Sequence, residues 1–461
     1  MSASHRDRRL EAVILGIAAS VFVTLRVVML LKRQPDIDEL FTVWVARKSP
    51  QDILRTLLHD NGPPLYYYLL SVLHLLSVTA GRAFSLVCAA GTLAVVALAP
   101  ESRPQRLAAV SMFAVLPHNV FFAAEARSYA LCAFLLAVAA TSLARWVRAP
   151  ARTLLGIAVG GIVLCAYSHY YGWFLMPLPV VIAVFMRRDR LRDAVIATGV
   201  AFIVLTPNLA MMWRQPKEGL EWMRIADPFA RLAIVAGSLL RIGVSAQHAF
   251  ANRPLSVATS AASIALLVIA LWRTRRSANA AAYFVMIIVA ILSAIAVAAA
   301  GMTAYFPIRF ESILAAPLVL WLAATLDDRL IAVAVAVALL ASADLVRAPA
   351  PRPTPARAVA QEIARHASRA TPVIGSGVVY LELFGVRDDV IPFPRDYEVT
   401  PFLHPTPAAL QRDTISLDRT RTPFVWGGMA YSAEERALAA RFNTRLLFRQ
   451  GAYDAVLCWN R

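Results

Sequence analysis

Long apolar runs separated by short polar loops make up the first three quarters of the chain. Most runs have about 17–20 residues, which as a helix span the roughly 30 Å of hydrocarbon in a bilayer. The pattern therefore predicts an α-helical polytopic membrane protein with about eleven transmembrane helices. They are expected near residues 11–31, 82–99, 107–124, 129–145, 154–168, 173–186, 194–211, 255–272, 279–300, 310–326 and 330–346.

One further apolar segment, GPPLYYYLLSVLHLLS at 62–77, begins with two prolines and contains three tyrosines. These features suit a helix that lies at the membrane interface. If the segment does not span, the predicted cytoplasmic loops carry thirteen arginines. The opposite short loops carry only Arg127 and Arg309, with six more basic residues in the long loop 212–254. The positive-inside rule then places the N-terminus in the cytoplasm and, after an odd number of spans, the C-terminus outside.

The composition changes after Val346, where RAPAPRPTPAR reads as a stiff proline-rich linker. We therefore divide the chain into a membrane domain, 1–346, and a linker with a small extracytoplasmic α/β domain, 347–461. An amphipathic helix is expected at 356–369, and β-like runs at 371–383, 422–428 and 445–459. The GSG at 375–377 is interpreted as a turn, because a lone GxG is a weak nucleotide signal. This domain is expected to act as a lid or an acceptor-guiding module.

Composition and charge narrow the function. The chain is 59% hydrophobic, and its formal charge of +17 comes from basic residues in short loops between apolar runs. Membrane topology produces that distribution, so nucleic acid is not an expected partner. The four cysteines form no CxxC motif for metal or redox chemistry. The first apolar run lacks a small-residue cleavage site and is interpreted as a retained signal anchor in a bacterial inner membrane.

Ionisable residues near the apolar runs collect on the predicted outer face. Such groups are costly in a membrane unless they face a wet cavity or the bundle interior, so they mark a functional site by default. Each also has a structural alternative: Asp38 and Glu39 could cap a helix, Glu125 could pair with Arg127, His169 could belong to an aromatic belt, and Arg309 could snorkel to outer phosphates. The outer-face residues are Asp36, Asp38, Glu39, Asp60, Glu125, Arg127, His169, Arg309 and Glu311.

Five short motifs in this order resemble the GT-C superfamily of membrane glycosyltransferases. They are the acidic pair DE at 38–39, DNGPPLYY at 60–67, EARSYAL at 125–131, SHYYG at 168–172 and RFE at 309–311. The resemblance covers roughly residues 10–346 and is strongest to the protein-mannosyltransferase-like bacterial enzymes that include the lipid A aminoarabinose transferases. One position departs from the family: Gly62 stands just before Pro-Pro, where relatives often carry a basic residue or histidine.

The resemblance implies that a sugar passes from a polyprenyl-phosphate donor to a lipid, glycan or protein acceptor on the outer face of the membrane. It implies Asp38 as general base, with Glu39 and Glu125 as further catalytic acids, and Arg309 or Arg127 as the phosphate-binding cation. A divalent metal held by Asp60, Glu125 and His169 is left open, because some relatives use a metal and others do not. Tyr66, Tyr170 and Tyr171 are expected to line the substrate groove. Direct displacement would invert the anomeric centre.

Two other classes of function remain as alternatives. A transporter or flippase for a lipid-linked sugar would carry polar residues near helix midpoints and broken helices in two similar halves. The runs here are mostly apolar at their centres and show no internal repeat. A scaffold with an extracytoplasmic domain would leave the outer-face carboxylates without a role. The sequence therefore favours the transferase.

Overall fold

The structure is a computed structural model of the full chain. It describes residues 3–215, 253–299, 310–347, 355–368, 370–375, 391–392, 417, 423–429, 433–450 and 453–460. The chain divides into two compact units. The first unit comprises Met1–Arg33, Gly62–Leu69 and Thr79–Pro349, and the second comprises Gln34–Asn61, Leu70–Val78 and Ala350–Arg461. The segments 34–61 and 70–78 thus group with the C-terminal region and not with the helices beside them in sequence.

Helices dominate the described part of the chain. Short 3-10 turns lie at Tyr170–Leu175, Arg188–Arg190 and Thr274–Arg276. The helices are α1 (Ala3–Lys32), α2 (Ile37–Ala46), α3 (Pro50–Leu58), α4 (Leu65–Val72), α5 (Val78–Leu98), α6 (Arg103–Val115), α7 (Pro117–Phe122), α8 (Tyr129–Arg148), α9 (Arg152–Ser168), α10 (Leu178–Met186), α11 (Leu191–Arg214), α12 (Arg253–Arg273), α13 (Ala278–Ala299), α14 (Phe310–Ile313), α15 (Ala315–Thr325), α16 (Asp328–Arg347), α17 (Pro355–His366) and α18 (Ala433–Arg441).

Every apolar run predicted as a span is helical over most of its length. By length and composition, however, five helices of the described chain are long and apolar enough to cross a membrane. They correspond to α1, α5, α8, α11 and α16. Some of the other predicted spans are shorter or broken; 107–124, for example, divides into α6 and α7. The polytopic helical architecture is therefore present, and the count of eleven crossings remains a prediction.

The segment at 62–77 forms the short helix α4, Leu65–Val72. Its eight residues rise about 12 Å, less than half the thickness of the hydrocarbon. The chain then turns at His74, which has a positive φ of 53°. The segment is therefore too short as a helix to cross a bilayer, as the arginine distribution predicted.

The break between α6 and α7 has a local cause. Pro117 keeps Leu116 extended, at φ −70° and ψ 115°, and lacks the N–H that would continue the helix. The last carbonyls of α6 then need other donors. The buried Arg26 of α1 donates to the carbonyls of Phe113 and Ala114. One side chain of a distant helix thus supplies hydrogen bonds to the end of α6.

Small residues allow the helices of the first unit to approach closely. A Cβ at Gly161 would lie 2.9 Å from the Leu135 carbonyl oxygen, so α9 and α8 meet at this glycine. A Cβ at Gly172 would lie 2.2 Å from the Ala166 backbone nitrogen, which only glycine permits. The 3-10 turn at Tyr170–Leu175 is thereby held against the end of α9. Close contacts of this kind replace the hydrophobic effect as the packing force within a membrane.

The described C-terminal residues of the second unit form a five-stranded sheet in the order β2-β1-β3-β5-β4. The strands are β1 (Val373–Gly375), β2 (Ile391–Pro392), β3 (Phe424–Met429), β4 (Phe442–Gln450) and β5 (Tyr453–Asn460). The first strand is parallel to both neighbours, whereas β3, β5 and β4 are antiparallel. The run predicted at 445–459 is thus a hairpin, and Gly375 of the GSG ends β1.

Alternating residues of the strands face two separate apolar clusters, as the pleat requires. Val373, Val425 and Ala455 pack with Val359 and Ile363 of α17. The second cluster contains residues of the opposite parity together with Leu438 of α18: Ile374, Phe424, Trp426, Phe442, Val456 and Cys458. The described part of the predicted α/β domain therefore has helices on both faces of its sheet.

Candidate functional site

A buried ion pair joins the end of α1 to the turn between α7 and α8. Arg33 Nη2 donates to Glu125 Oε1 at 3.0 Å, and only 8% and 2% of the two side chains are exposed. The Arg33 guanidinium also lies 4.1 Å from the centre of the Phe121 ring, which adds a cation–π contact. Glu125 thus has an ion-pair partner just after the first helix, which was not predicted from the sequence.

Two hydrogen bonds to the Glu125 carbonyl fix the turn that carries this residue. Its carbonyl accepts from the Arg127 N–H at 2.8 Å and from Ser85 Oγ at 2.6 Å. Ser85 also lies 3.4 Å from the Tyr66 hydroxyl, so α4 and α5 both contact this turn. The Arg127 side chain is half-buried. Glu125, Arg127 and Tyr66 are therefore brought together around Ser85.

Arg82 completes the surroundings of the ion pair. This buried side chain of α5 donates to the carbonyls of Arg33 at 2.8 Å and Leu30 at 3.4 Å. These carbonyls end α1, where the helix dipole favours a cation. Arg82 thereby holds the backbone of Arg33 in place while the Arg33 side chain contacts Glu125.

The predicted aromatic residues form a second group within the first unit. His169 lies between Tyr129 and Tyr171, with ring centroids 5.4 and 4.1 Å away, and its Nδ1 accepts from the Tyr171 N–H. Tyr170 donates its hydroxyl hydrogen to Gln215 Oε1 at 2.6 Å. Gln215 in turn donates to the Gly62 carbonyl at 2.9 Å. An amide side chain thus contacts the position where the family often has a cation.

The tyrosines of α4 are placed differently from one another. Tyr66 is buried and packs against Phe84, with ring centroids 6.0 Å apart. Tyr68 is half-buried, and this burial raises the pKa of its phenol. The exposed side of α4 includes Val72 and does not include Tyr66.

The predicted metal ligands do not fit a metal ion as placed. Glu125 Oε1 is bound to Arg33, and His169 Nδ1 faces a backbone N–H. Across the described ranges there is no group of three His, Cys, Asp or Glu side chains with metal-binding geometry. Asp60, the third predicted ligand, is a half-buried turn residue of the second unit. We derive no step through a metal.

The first-loop carboxylates belong to the second unit and start α2. Glu39 is fully buried and its Oε2 accepts from the Asp36 N–H at 3.0 Å, the reciprocal half of a capping box. Asp38 is half-buried, and its carbonyl accepts from the Thr42 hydroxyl at 2.8 Å. The capping alternative thus applies to Glu39, whereas Asp38 is less buried than its neighbour.

Arg309, predicted to bind the donor phosphate, lies outside the described residues, as does the side chain of Glu311. Sequence reasoning missed Arg33, Arg82 and Gln215. Arg33 follows directly on the first apolar run, in LLKRQPD, and was considered only as the flank of an anchor. A cation at the predicted outer end of α1 was the available signal.

Comparison with solved structures shows that the chain has a known fold. The aminoarabinose transferase ArnT from Cupriavidus metallidurans in the apo state matches over 99% of this chain and 98% of its own, with a TM-score of 0.62 and 12% identity. The same protein bound to undecaprenyl phosphate gives a TM-score of 0.61 and 12% identity over the same shares. Both are GT-C proteins. This chain has the GT-C fold.

A third GT-C structure is similar over a smaller share of its length. The oligosaccharyltransferase from Archaeoglobus fulgidus in complex with Zn and sulfate matches 97% of this chain and 73% of its own, with a TM-score of 0.50 and 13% identity. No protein-family model and no curated protein matches the sequence. The resemblance to the GT-C superfamily is thus confirmed for the fold, and at such low identity the activity needs a separate argument.

Proposed function

We propose that the chain transfers a sugar from a polyprenyl-phosphate-linked donor to an acceptor at the outer face of a bacterial inner membrane. The observation that carries this proposal is the buried Arg33–Glu125 pair at the helix ends of a GT-C fold. Two charges removed from water cost several kcal/mol each unless their partners compensate, so a purely structural pair is a poor source of stability. A functional site accounts for their presence.

The nature of the donor follows from fold and chemistry together. ArnT from Cupriavidus metallidurans was crystallised with undecaprenyl phosphate. A polyprenyl-phosphate sugar keeps its tail in the hydrocarbon and its anomeric carbon at headgroup level. An enzyme for it needs apolar helices beside polar groups near the membrane surface. The candidate spans and the charged turn at Glu125 supply these two features.

In the proposed reaction Asp38 accepts the proton of the acceptor hydroxyl as its oxygen attacks the anomeric carbon. The bond from that carbon to the phosphate oxygen breaks, and its electron pair leaves with the polyprenyl phosphate. An arginine stabilises the negative charge that develops on the phosphate, through the planar fork of its guanidinium. Displacement from the opposite face inverts the configuration of the sugar. Asp38 is assigned by resemblance, and Glu125 is the second acid.

The remaining parts of the proposal concern location and acceptor. The N-terminus is placed in the cytoplasm and residues 347–461 outside by the arginine distribution. The C-terminal domain would then face the same side as the acceptor, which is a lipid, a glycan or a protein. Its role is proposed as a lid or acceptor guide.

Two measurements test the function. In a deletion strain, mass spectrometry should show loss of one sugar from an envelope lipid, glycan or protein and build-up of its polyprenyl-phosphate donor. The purified protein in liposomes should restore the transfer with that donor. A strain whose glycans and lipid carriers are unchanged, with a wild-type protein that does not bind undecaprenyl phosphate, would refute the proposal.

A further inference from the structure

Only one of the two terminal nitrogens of the Arg33 guanidinium has a hydrogen-bond partner among the described residues. Its Nη2 donates to Glu125 Oε1, whereas Nη1 is buried and has no hydrogen-bond partner within the described part of the chain. The side chain is more than nine-tenths buried. A buried donor without a partner costs about 1–3 kcal/mol, and more for a charged group. An arginine placed for structure alone would use both nitrogens of its fork.

The geometry of the ion pair also differs from that of a bidentate arginine–carboxylate pair. Arginine–carboxylate pairs are frequently bidentate, with two parallel hydrogen bonds. Here a single nitrogen contacts a single oxygen at 3.0 Å. The Phe121 ring covers the guanidinium at 4.1 Å, and Arg82 holds the Arg33 carbonyl. The backbone and one face of the guanidinium are thus fixed, while its second nitrogen is left for another acceptor.

We propose that Arg33 is the anion subsite of the donor and that Glu125 is a built-in competitor for it. The ligand is the phosphate of the polyprenyl carrier, so this inference rests on the proposed function. A phosphate oxygen accepts a hydrogen bond from Nη1. The negative charge of the phosphate then weakens the attraction between the guanidinium and the Glu125 carboxylate. Donor binding thereby frees the Glu125 carboxylate for the reaction. Arg33 also supplies the cation that Gly62 does not provide before Pro-Pro.

The competition predicts opposite effects from the two partners of one ion pair. Arg33→Gln should weaken binding of undecaprenyl phosphate by about tenfold or more, because a charge-assisted hydrogen bond is lost. Glu125→Gln should strengthen it several-fold, because a neutral amide competes less well for the guanidinium. A purely structural pair would give weaker binding with either change. The sign of the Glu125 effect therefore separates the two explanations.

The exposed pair Arg55–Asp52 provides the matched control. Its atoms are 3.2 Å apart, and 70% and 49% of the side chains are exposed. Arg55→Gln and Asp52→Asn remove the same charges at the surface and should leave affinity unchanged. The full chain is placed in nanodiscs of phosphatidylcholine and titrated with undecaprenyl phosphate. Thermal unfolding of each variant shows whether it is folded, and Glu125→Gln keeps the test decisive if Arg33→Gln does not fold.

Three outcomes contradict the inference, and each does so in a different way. If Arg33→Gln binds like the wild type, or Glu125→Gln binds more weakly, Arg33 is not the subsite although the proposed function stands. If undecaprenyl phosphate does not bind, but inorganic phosphate stabilises the wild type and not Arg33→Gln, the site binds free phosphate and not the lipid carrier. If the wild type binds neither probe, the proposed function fails as well.

Discussion

Arg26 Nη2 donates to Asn119 Oδ1 at 2.8 Å, joining the C-terminal part of α1 to a residue 93 positions later. The same side chain caps the end of α6 and lies 3.8 Å over the Phe22 ring. Asn119 belongs to α7, whose Phe121 covers Arg33. The position of the candidate site therefore depends on a buried arginine that does not take part in it.

Replacing Arg26 with leucine should be strongly destabilising. The substitution removes the arginine donor of the Ala114 carbonyl and of the Asn119 amide oxygen, and each buried group left unsatisfied costs about 1–3 kcal/mol. We expect a much lower unfolding temperature in detergent. Arg9→Leu, at an exposed position on the same helix, serves as the control and should change it little. Equal unfolding temperatures for both variants would show that the cap is not needed.

Substitutions at Asp38 and Glu39 should distinguish the proposed general base, Asp38, from the helix-capping residue, Glu39. Asp38→Asn keeps the size of the side chain but cannot accept a proton, so transfer should fall by about 10²–10⁴-fold. Glu39→Gln retains an oxygen for the Asp36 N–H and should be milder. Arg309→Lys keeps the charge and loses the fork, and we expect intermediate damage. Transfer is measured in membranes with a polyprenyl-phosphate sugar. Normal turnover in Asp38→Asn together with no turnover in Glu39→Gln would show that Glu39, and not Asp38, is the general base.

Adjacent glycines of α9 offer a test of helix packing. Gly161→Ala would press a methyl group against the Leu135 carbonyl, so the unfolding temperature should fall. At Gly160 nothing lies within 4 Å of an added Cβ. Gly160→Ala should therefore be neutral or stabilising, since alanine exceeds glycine in helix propensity by about 1 kcal/mol. The reverse order of the two unfolding temperatures would show that α8 and α9 are not packed at Gly161.

Cys458 in β5 should be unreactive until the sheet unfolds. Burial, and secondarily the charge of Glu435, raises the pKa of its thiol from 9.0 to about 12. Because the folded pKa is the higher one, the protonated thiol stabilises the fold fully below about pH 9, and this contribution is lost as the pH rises towards 12. A variant that retains only this cysteine should resist maleimide at pH 8 and react after denaturation. Rapid labelling of the folded protein would contradict the burial.

The sequence by itself determined the elements and their chemical character. Apolar length indicated where the helices form, and the two prolines with the tyrosines marked the short α4, whereas the break at Pro117 within 107–124 was not predicted. These features are local, because helix length, proline geometry and strand alternation act over neighbouring residues. The order of the motifs indicated the GT-C resemblance, and the turn at Glu125 was predicted to be part of a site. The role of Arg309 and the common outer-face location of the ionisable residues remain predictions.

The tertiary structure decided which partners these residues have. Glu125 pairs with Arg33, which is 92 residues away in the sequence, while the Arg127 N–H closes the turn on the Glu125 carbonyl. Glu39 folds back on the Asp36 N–H, and the adjacent Asp38 does not share its burial. The C-terminal strands pair in an order that the chain does not follow. Pairings of this kind depend on which helices and strands pack together, and the spacing of residues along the sequence does not indicate that packing.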